Sequence, residues 1–279
     1  MHAQPETRFG AWQIVRALGA GAHGSLHLAR DERNNRWAAL KLLPLGDDEA
    51  RTRFVGEAQA LGRLAHPDIV GVLGHGQAGR VGWLAMEPLG GSDLRRYTRP
   101  ARLLPEALVL DIGVRLALAL AHAHERGVVH RDIKPSNVMV DWTSRRMALT
   151  DFGLARLDDA SRTRSGVISG SPDYMAPELL AGAPANAGSD VYALGALLFE
   201  LLAGRRPHEA QSLGALLRRV ATMPAPDLRG VRPDLAPAVA DAVGQALQCR
   251  PADRPRGAAA FAAALQAAAA RLPSPGAST

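Results

Sequence analysis

Lysine is almost missing from this chain of 279 residues, although the chain carries 33 basic side chains. Only Lys41 and Lys134 are lysines, and all other basic residues are arginines. An ammonium is a compact charge on a flexible stem that suits a single phosphate oxygen, whereas a guanidinium is a wide planar fork. Two positions that keep lysine against such a bias are expected to need the ammonium. The scarcity therefore points to phosphate chemistry at both positions.

Cysteine and aromatic residues are also scarce. The one cysteine, Cys249, excludes an internal disulfide bond and fits a reducing compartment. Aromatic residues make up 4% of the chain and hydrophobic residues 47%, so the core must consist mainly of Leu, Val and Ala. A chain of this length and composition can form one large domain or two closely packed lobes.

Long uninterrupted hydrophobic runs are absent from the sequence. The apolar runs near 107–121 and 191–203 are broken by Asp111, Arg115 and Glu200. The first residues lack both the basic start and the apolar stretch of a signal peptide. We therefore expect no membrane span and a cytoplasmic location.

The net charge of +6 raises the question of nucleic-acid binding. The arginines are dispersed in ones and twos, without interleaved aromatic residues or a long basic run. Their densest cluster comprises Arg95, Arg96, Arg99 and Arg102. We expect a solvated basic surface rather than a nucleic-acid-binding protein.

Apolar periodicity divides the chain into a β-rich first part and a helical second part. Residues 11–43 read as three strands, 49–65 as a helix with one buried stripe, and 69–75 and 81–87 as further strands. From about residue 92 onward, helices are predicted at 105–126, 188–203, 211–221, 237–248 and 257–271. Two short β pieces, at 138–140 and 147–150, precede a loop-like segment at 151–178. The buried stripe of the first helix is expected to comprise Phe54, Ala58, Leu61 and Ala65.

Three glycines, Gly19, Gly21 and Gly24, lie between the first two predicted strands. A dinucleotide-binding fold would place a helix directly after such glycines, but here a strand follows. Glycines between two strands let backbone N–H groups approach phosphates without interference from a Cβ atom. A plain hairpin turn remains the alternative for this motif taken alone.

Lys41 interrupts an otherwise apolar strand, so its charge requires a partner. Glu57, beside the buried stripe of the next helix, is the expected partner, because an unpaired buried ammonium is unfavourable. Taken alone, Glu57 would be read as an ordinary exposed helix charge.

The segment 130–137, His-Arg-Asp-Ile-Lys-Pro-Ser-Asn, is the most specific motif. Asp132 can accept a proton from an attacking hydroxyl, and Lys134 can neutralise a phosphoryl group in transit. Asn137 and Asp151, which begins an Asp-Phe-Gly run, supply oxygen ligands of the kind that Mg²⁺ prefers. The sequence thus predicts Asp132 and Lys134 as catalytic residues and Asn137 and Asp151 as metal ligands.

These motifs, in this order, resemble those of eukaryotic-type protein kinases of the bacterial Ser/Thr class, over about residues 9–265. Further segments similar to the family lie at 64–70, 86–89, 176–178, 189–195 and 250–255. The resemblance implies a two-lobed α+β fold: a small antiparallel β-sheet lobe with one main helix, and a larger, mostly helical lobe. The implied boundaries are an extension at 1–8, the small lobe at 9–86, a hinge at 87–91, the large lobe at 92–272 with an activation segment at 151–178, and a flexible tail at 273–279.

The resemblance also implies ATP as the cofactor, with Mg²⁺ or alternatively Mn²⁺ as the metal. Adenine is expected below Leu26 and Ala39 and above Met139, with Met86 as gatekeeper, backbone contacts at the hinge and Asp93 at the ribose. The full set of expected nucleotide-binding residues is Leu18, Gly19, Gly21, Gly24, Leu26, Ala39, Lys41, Glu57, Met86, Glu87, Leu89, Asp93 and Met139.

The implied activity is ATP-dependent transfer to protein Ser and Thr hydroxyls in signal transduction, with autophosphorylation of the activation segment. The family's Asp-x-Lys-Pro-x-Asn run accompanies Ser/Thr transfer, and the Ser171 hydroxyl is expected to contact Asp132. Glu178 is expected to pair with Arg254. We further expect phosphorylation at Thr163 or Ser165, among the candidate acceptors Ser161, Thr163, Ser165 and Ser169, to order the segment around Arg131 and Arg156.

Two other classes of function remain open at this point. A non-catalytic nucleotide-binding scaffold would require a missing catalytic group, and none is missing. A small-molecule phosphotransferase of similar architecture would lack the Ala-Pro-Glu segment and the intact Asp-x-Lys-Pro-x-Asn run. Protein substrates are therefore the expected partners. Members of the family often dimerise through the small lobe, so a homodimer is a further option.

Overall fold

The computed structural model describes residues 8–21, 24–152 and 171–272. Its first part is an antiparallel sheet of six strands in the order β1-β2-β3-β4-β6-β5. The strands are β1 Arg8–Phe9, β2 Trp12–Gly21, β3 Gly24–Asp31, β4 Arg36–Pro44, β5 Val72–Ala78 and β6 Val81–Met86. Consecutive antiparallel strands need only short connections, which is consistent with the polar turn between β3 and β4.

One helix, α1 at Asp48–Gly62, packs against β5 and β6. It begins at Asp47, whose side chain accepts a hydrogen bond from the Ala50 backbone N–H at 2.7 Å and so caps the helix. Phe54, Ala58 and Leu61 are buried as predicted. Ala65, predicted for the same stripe, is exposed because the helix ends before it and Leu64 turns into the core instead.

A second, three-stranded sheet lies in the helical part, with the order β7-β8-β9. Its strands are β7 Ser92–Asp93, β8 Val138–Asp141 and β9 Arg146–Leu149. Leu149 joins the two parts, because its N–H donates to Asp68 O at 2.9 Å and its carbonyl accepts from Val70 N at 3.1 Å. These two hydrogen bonds connect the helical part to the first part of the chain. The predicted site residues Asn137 and Asp151 lie close to this boundary in sequence.

The remaining helices are α2 Glu106–Glu125, α3 Pro177–Leu180, α4 Ala187–Ala203, α5 Leu213–Thr222, α6 Pro237–Ala246 and α7 Ala258–Ala269. Helix α4 is buried along almost its whole length and forms the centre of the helical part. It begins with a capping box between Asn186 and Ser189 and ends at Gly204, which has the left-handed φ of 70°.

Helix α2 packs against α7 and α4 in this core. It is the one described helix long and apolar enough to cross a bilayer by length and composition, and half of its most apolar stretch is buried inside the protein. The two-part α+β organisation predicted from the sequence is confirmed, and all six predicted helices are present with ends shifted by at most three residues.

Candidate active site

The segment 130–137 lies between α2 and β8 and is anchored by Asp190 of α4. The Asp190 carboxylate, which is almost fully buried, accepts hydrogen bonds from the backbone N–H groups of His130 at 2.8 Å and Arg131 at 2.9 Å. It also lies 2.8 Å from His124 Nε2. A charged acceptor that binds two backbone amides fixes the path of the loop. Asp190 was not predicted as a site residue, although it lies in the segment 189–195, which resembles the family.

His130 acts as an internal support of this loop. Its ring is fully buried, packs on Phe152 with ring centroids 4.4 Å apart, and contacts Thr150 O through Nε2 at 2.9 Å. Burial lowers the pKa of His130, so the ring is neutral near pH 7. The neutral ring accepts from the Asp132 backbone N–H at Nδ1, 3.2 Å away, and thereby orients the next catalytic residue.

Asp132 is held by two of the predicted site residues. Lys134 Nζ lies 2.6 Å from Asp132 Oδ2, and Asn137 Nδ2 donates to Oδ2 at 3.1 Å and to the backbone carbonyl at 2.7 Å. Burial alone would raise the pKa of Asp132, but the hydrogen bond and charge of Lys134 and the amide of Asn137 outweigh it, so the pKa is lowered. Asp132 is therefore an ionised acceptor at neutral pH.

The expected contact between Ser171 and Asp132 is replaced by an indirect one. Lys134 Nζ donates to Ser171 Oγ at 2.8 Å, so the ammonium lies between the hydroxyl and the carboxylate. Both oxygens can be served because an ammonium has three donors.

The predicted ion pair between Lys41 and Glu57 is wrong for this structure. Lys41 Nζ instead contacts Asp151 Oδ1 at 2.6 Å, and Glu57 Oε1 accepts from Arg131 Nη1 at 3.2 Å. Lys41 is largely buried on β4 and needs a counter-charge, which Asp151 supplies. The loop residues Arg131 and Asp151 both have left-handed backbone conformations, with φ of 72° and 63°. Two ion pairs, Lys41–Asp151 and Arg131–Glu57, thus stand in place of the single predicted pair.

Asn137, one of the two predicted metal ligands, lies beside the residue that precedes Asp151, the other. Thr150, directly before Asp151, donates to the Asn137 carbonyl through its N–H at 2.8 Å and its Oγ1 at 3.1 Å. The side chains offer an amide oxygen and a carboxylate, a donor set that fits a hard divalent cation. The chemistry of the two side chains thus fits the metal predicted for them.

A cleft of about 370 Å³ opens between the six-stranded sheet and β8. Seven of the predicted nucleotide-binding residues line it: Leu18, Leu26, Ala39, Met86, Glu87, Leu89 and Met139. Arg16, Leu28, Val70, Pro88, Ser136 and Thr150 also line it and were not predicted. A mostly apolar cleft with a few polar groups at its rim is suited to a flat heterocycle.

Strand β6, whose last residue Met86 lines the cleft, is followed by the predicted hinge residue Glu87. Glu87 donates its N–H to Gly71 O at 2.9 Å, and its carboxylate accepts from Gly71 N at 2.9 Å and from Arg146. The Glu87 N–H is therefore already used, and its carbonyl is the backbone group available to a ligand. The backbone roles of Glu87 and Leu89 stay predictions.

Asp93 was predicted to bind ribose, but its carboxylate is bound by Arg95. Its carboxylate accepts three hydrogen bonds from Arg95, from the backbone N–H at 3.0 Å, Nε at 2.9 Å and Nη2 at 2.6 Å, and it caps the turn at Leu94–Tyr97. Ser136 lines the cleft where Asp93 does not. The sequence contained a signal for this cap, because an aspartate side chain often accepts a hydrogen bond from the backbone N–H two residues later.

The predicted glycines lie at the facing ends of β2 and β3. Gly21 pairs with Gly24, and residues 22 and 23 between them lie outside the described residues. Gly24 has φ of 123°, and a Cβ there would lie 1.9 Å from Leu42 O, so a side chain does not fit. A Cβ at Gly19 or Gly21 would meet no atom within 4 Å, which leaves open space above the cleft.

The predicted pair between Glu178 and Arg254 is confirmed. Arg254 Nη1 and Nη2 donate to the two Glu178 carboxylate oxygens at 2.6 and 2.7 Å, and the Arg254 side chain is completely buried. The guanidinium carbon also lies 5.0 Å from the centre of the Tyr192 ring. The candidate phosphate acceptors Ser161, Thr163, Ser165 and Ser169, and Arg156 with them, lie outside the described residues.

The chain is similar in sequence to known protein kinases. Residues 12–264 match the family model described as a protein kinase domain. The serine/threonine-protein kinase PkaB of Streptomyces coelicolor is 42% identical over 241 residues, which cover 82% of this chain and 56% of PkaB. The serine/threonine-protein kinase pkn3 of Myxococcus xanthus is 36% identical over 272 residues, which cover 92% of this chain and 49% of pkn3.

A solved structure gives the same result for the fold. The crystal structure of the Mycobacterium tuberculosis PknI kinase domain superposes with a TM-score of 0.76 at 33% identity, covering 96% of this chain and 100% of that chain. The chain spans only about half the length of the curated relatives PkaB and pkn3.

Proposed function

This chain belongs to the protein kinase family, and from that premise we propose that it transfers the γ-phosphoryl group of ATP to Ser and Thr hydroxyls of proteins. One observation carries the proposal: Asp132 is partly buried, its pKa is lowered, and it is held by Lys134 and Asn137 on a loop bound to Asp190. A carboxylate in this state accepts a proton from an incoming hydroxyl without needing to lose its own.

Each site residue has a distinct task in this proposal. Asp132 orients the acceptor hydroxyl and takes its proton, and Lys134, 2.6 Å away, stabilises the negative charge that develops beside it. Lys41, on the rigid strand β4, binds phosphate oxygens of the nucleotide. The Ser171 hydroxyl keeps Lys134 in place through a 2.8 Å hydrogen bond.

The cleft, which Asp151 lines, and the polar side chains of Asn137 and Asp151 fit ATP and a divalent cation. The cleft volume of about 370 Å³ and its apolar walls suit adenine, while Asn137 and Asp151 would hold the metal, which we propose to be Mg²⁺. When bound, ATP and its metal supply the transferable phosphoryl group and neutralise part of its charge.

The alternative of a non-catalytic scaffold is not favoured, because every group needed for transfer is present. A small-molecule phosphotransferase is not favoured either, because the relatives PkaB and pkn3 are serine/threonine-protein kinases. A cytoplasmic location, freedom from nucleic acid and a homodimer stay predictions of the sequence analysis.

The proposal is tested by phosphate transfer from γ-labelled ATP to protein and peptide substrates with Ser, Thr or Tyr acceptors. Asp132→Asn keeps the shape and the hydrogen bond from Asn137 but removes the base, so transfer should fall by about 10²–10⁴-fold. Nucleotide binding, followed by fluorescence of an ATP analogue, should remain. Transfer by Asp132→Asn at the wild-type rate, or transfer to antibiotics and not to proteins, would overturn the proposal.

A further inference from the structure

Four arginines on one face of the helical part have exposed side chains without a hydrogen bond or ion pair to any described residue. They are Arg96, Arg99, Arg102 and Arg205, here called the arginine surface. Some exposed arginines of the same part pair locally, Arg229 with Asp227 and Arg250 with Asp253. Arg145, Arg218, Arg256 and Arg271 are also exposed without a side-chain partner among the described residues, so the arginine surface is one group of unpaired cations among several.

The arginine surface borders the catalytic loop on one side. The turn Leu94–Tyr97, which carries Arg96, packs against the turn Pro135–Asn137 directly after Lys134. It continues into the turn Pro100–Arg102, which includes Arg102 and follows Arg99.

A second set of contacts connects the arginine surface to Lys134, the partner of the Asp132 carboxylate. Pro100 lies against Gly204, where a Cβ would come within 3.0 Å of the Pro100 ring. Arg205 follows Gly204, and the next residue, Arg206, forms an ion pair with Asp173. Asp173 is two residues beyond Ser171, the hydrogen-bond partner of Lys134. The arginine surface is therefore connected to Lys134 on two sides. On one side it packs against the turn directly after Lys134, and on the other the connection runs through Arg206, Asp173 and Ser171.

The acidic groups along these contacts are already engaged. Asp93 is bound by Arg95, Asp173 by Arg206, and Glu106 accepts from the Ala236 backbone N–H at 3.2 Å. Glu200 accepts a hydrogen bond from the Tyr174 hydroxyl. Glu209 is exposed and contacts the Arg206 backbone N–H at 3.3 Å. The field at the arginine surface is therefore positive.

We infer that the arginine surface binds acidic side chains of the protein segment that presents its Ser or Thr to Asp132, so that preferred substrates carry Asp or Glu near the acceptor. The inference rests on the proposed function and specifies its substrate class. Nucleic acid is the less favoured occupant, because the surface borders the loop that holds Asp132, where the acceptor hydroxyl of a protein is proposed to bind.

Three peptides test the preference, each with one central Thr and flanks of glutamate, glutamine or arginine. Because exposed charge pairs contribute a few tenths to 1 kcal/mol each, two or three of them give the glutamate peptide a kcat/KM about tenfold above the glutamine peptide. The difference should lie in KM, since the contacts form equally in the ground and transition states. It should shrink between about 0.05 and about 0.5 M salt as screening increases.

A triple variant, Arg96→Glu/Arg99→Glu/Arg102→Glu, should invert the ratio of kcat/KM between the glutamate and arginine peptides. Arg205→Glu alone should reduce the ratio and serves as a second variant if the triple variant does not fold. Arg271→Glu, an exposed arginine after the last helix, makes the same charge change away from this surface and should leave the ratio as in the wild type.

The outcomes separate this inference from the proposed function. Transfer to none of the peptides by the wild type would overturn the proposed function. Transfer with no dependence on flanking charge, or a ratio unchanged in both variants, would overturn the inference alone. Tight binding of a short RNA or DNA that is lost in the triple variant, with no peptide preference, would assign the arginine surface to nucleic acid instead.

Discussion

The buried pair between Glu178 and Arg254 should contribute more to stability than any surface ion pair in this protein. In Glu178→Ala the Arg254 guanidinium loses both charge-assisted hydrogen bonds while its side chain stays at 0% exposure. Breaking a buried pair by removing one partner costs about 3–5 kcal/mol, because the remaining charge is uncompensated.

Other contacts set the expected loss at the lower end of that range. Arg254 also donates to the carbonyls of Gln248 at 2.8 Å, Gly188 at 3.0 Å and Cys249 at 3.1 Å, and these acceptors stay in the variant. We expect a loss of about 3 kcal/mol in the free energy of unfolding, which for a domain of this size lowers Tm by about 5–10 °C. Urea unfolding followed by circular dichroism, together with a thermal melt, measures both quantities.

Two further variants make the test specific. Glu125→Ala, which removes a largely exposed carboxylate 3.7 Å from Arg126, should change stability by less than about 0.5 kcal/mol. Glu178→Ala/Arg254→Met removes both charges and should be more stable than Glu178→Ala alone. A loss below about 1 kcal/mol in Glu178→Ala, or a double variant less stable than the single one, would refute the reasoning.

Two other predictions concern the lysines. Lys41→Arg keeps the charge but puts a wide fork where Lys41 Nζ contacts Asp151 at 2.6 Å, so peptide phosphorylation should fall by more than about tenfold, whereas Lys134→Arg should lose less; equal losses would contradict the distinction. Lys134 lowers the pKa of Asp132 against the effect of burial, so Lys134→Met should raise that pKa, and the acid limb of the kcat/KM profile should move to higher pH; an acid limb that stays in place would show that Lys134 does not tune Asp132.

Features that depend on local spacing were predictable from the sequence. The helices followed from apolar periodicity, and the clustering of Asp132, Lys134 and Asn137 follows from their presence on one short loop. The pair between Glu178 and Arg254, 76 residues apart, came from the family resemblance and not from any local pattern.

Features that depend on a choice among distant partners were not predictable. Lys41, Glu57, Arg131 and Asp151 can pair in more than one way, and the selection depends on the position of α1 and on two left-handed loop residues. Asp93 was assigned to a ligand although Arg95, two residues away, could satisfy it locally. In both cases the competing partner was visible in the sequence, but its geometry was not.

A switch of Lys41 from Asp151 to Glu57 would couple binding at two different positions. Lys41 contacts Asp151 and Glu57 contacts Arg131 in this structure, so that switch would move both ion pairs. A ligand that draws Asp151 away from Lys41 and an anion that draws Arg131 away from Glu57 therefore favour the same rearrangement. By linkage, each must raise the affinity of the protein for the other by the same factor, and the affinity measured for either alone is reduced by the fraction of molecules not yet rearranged.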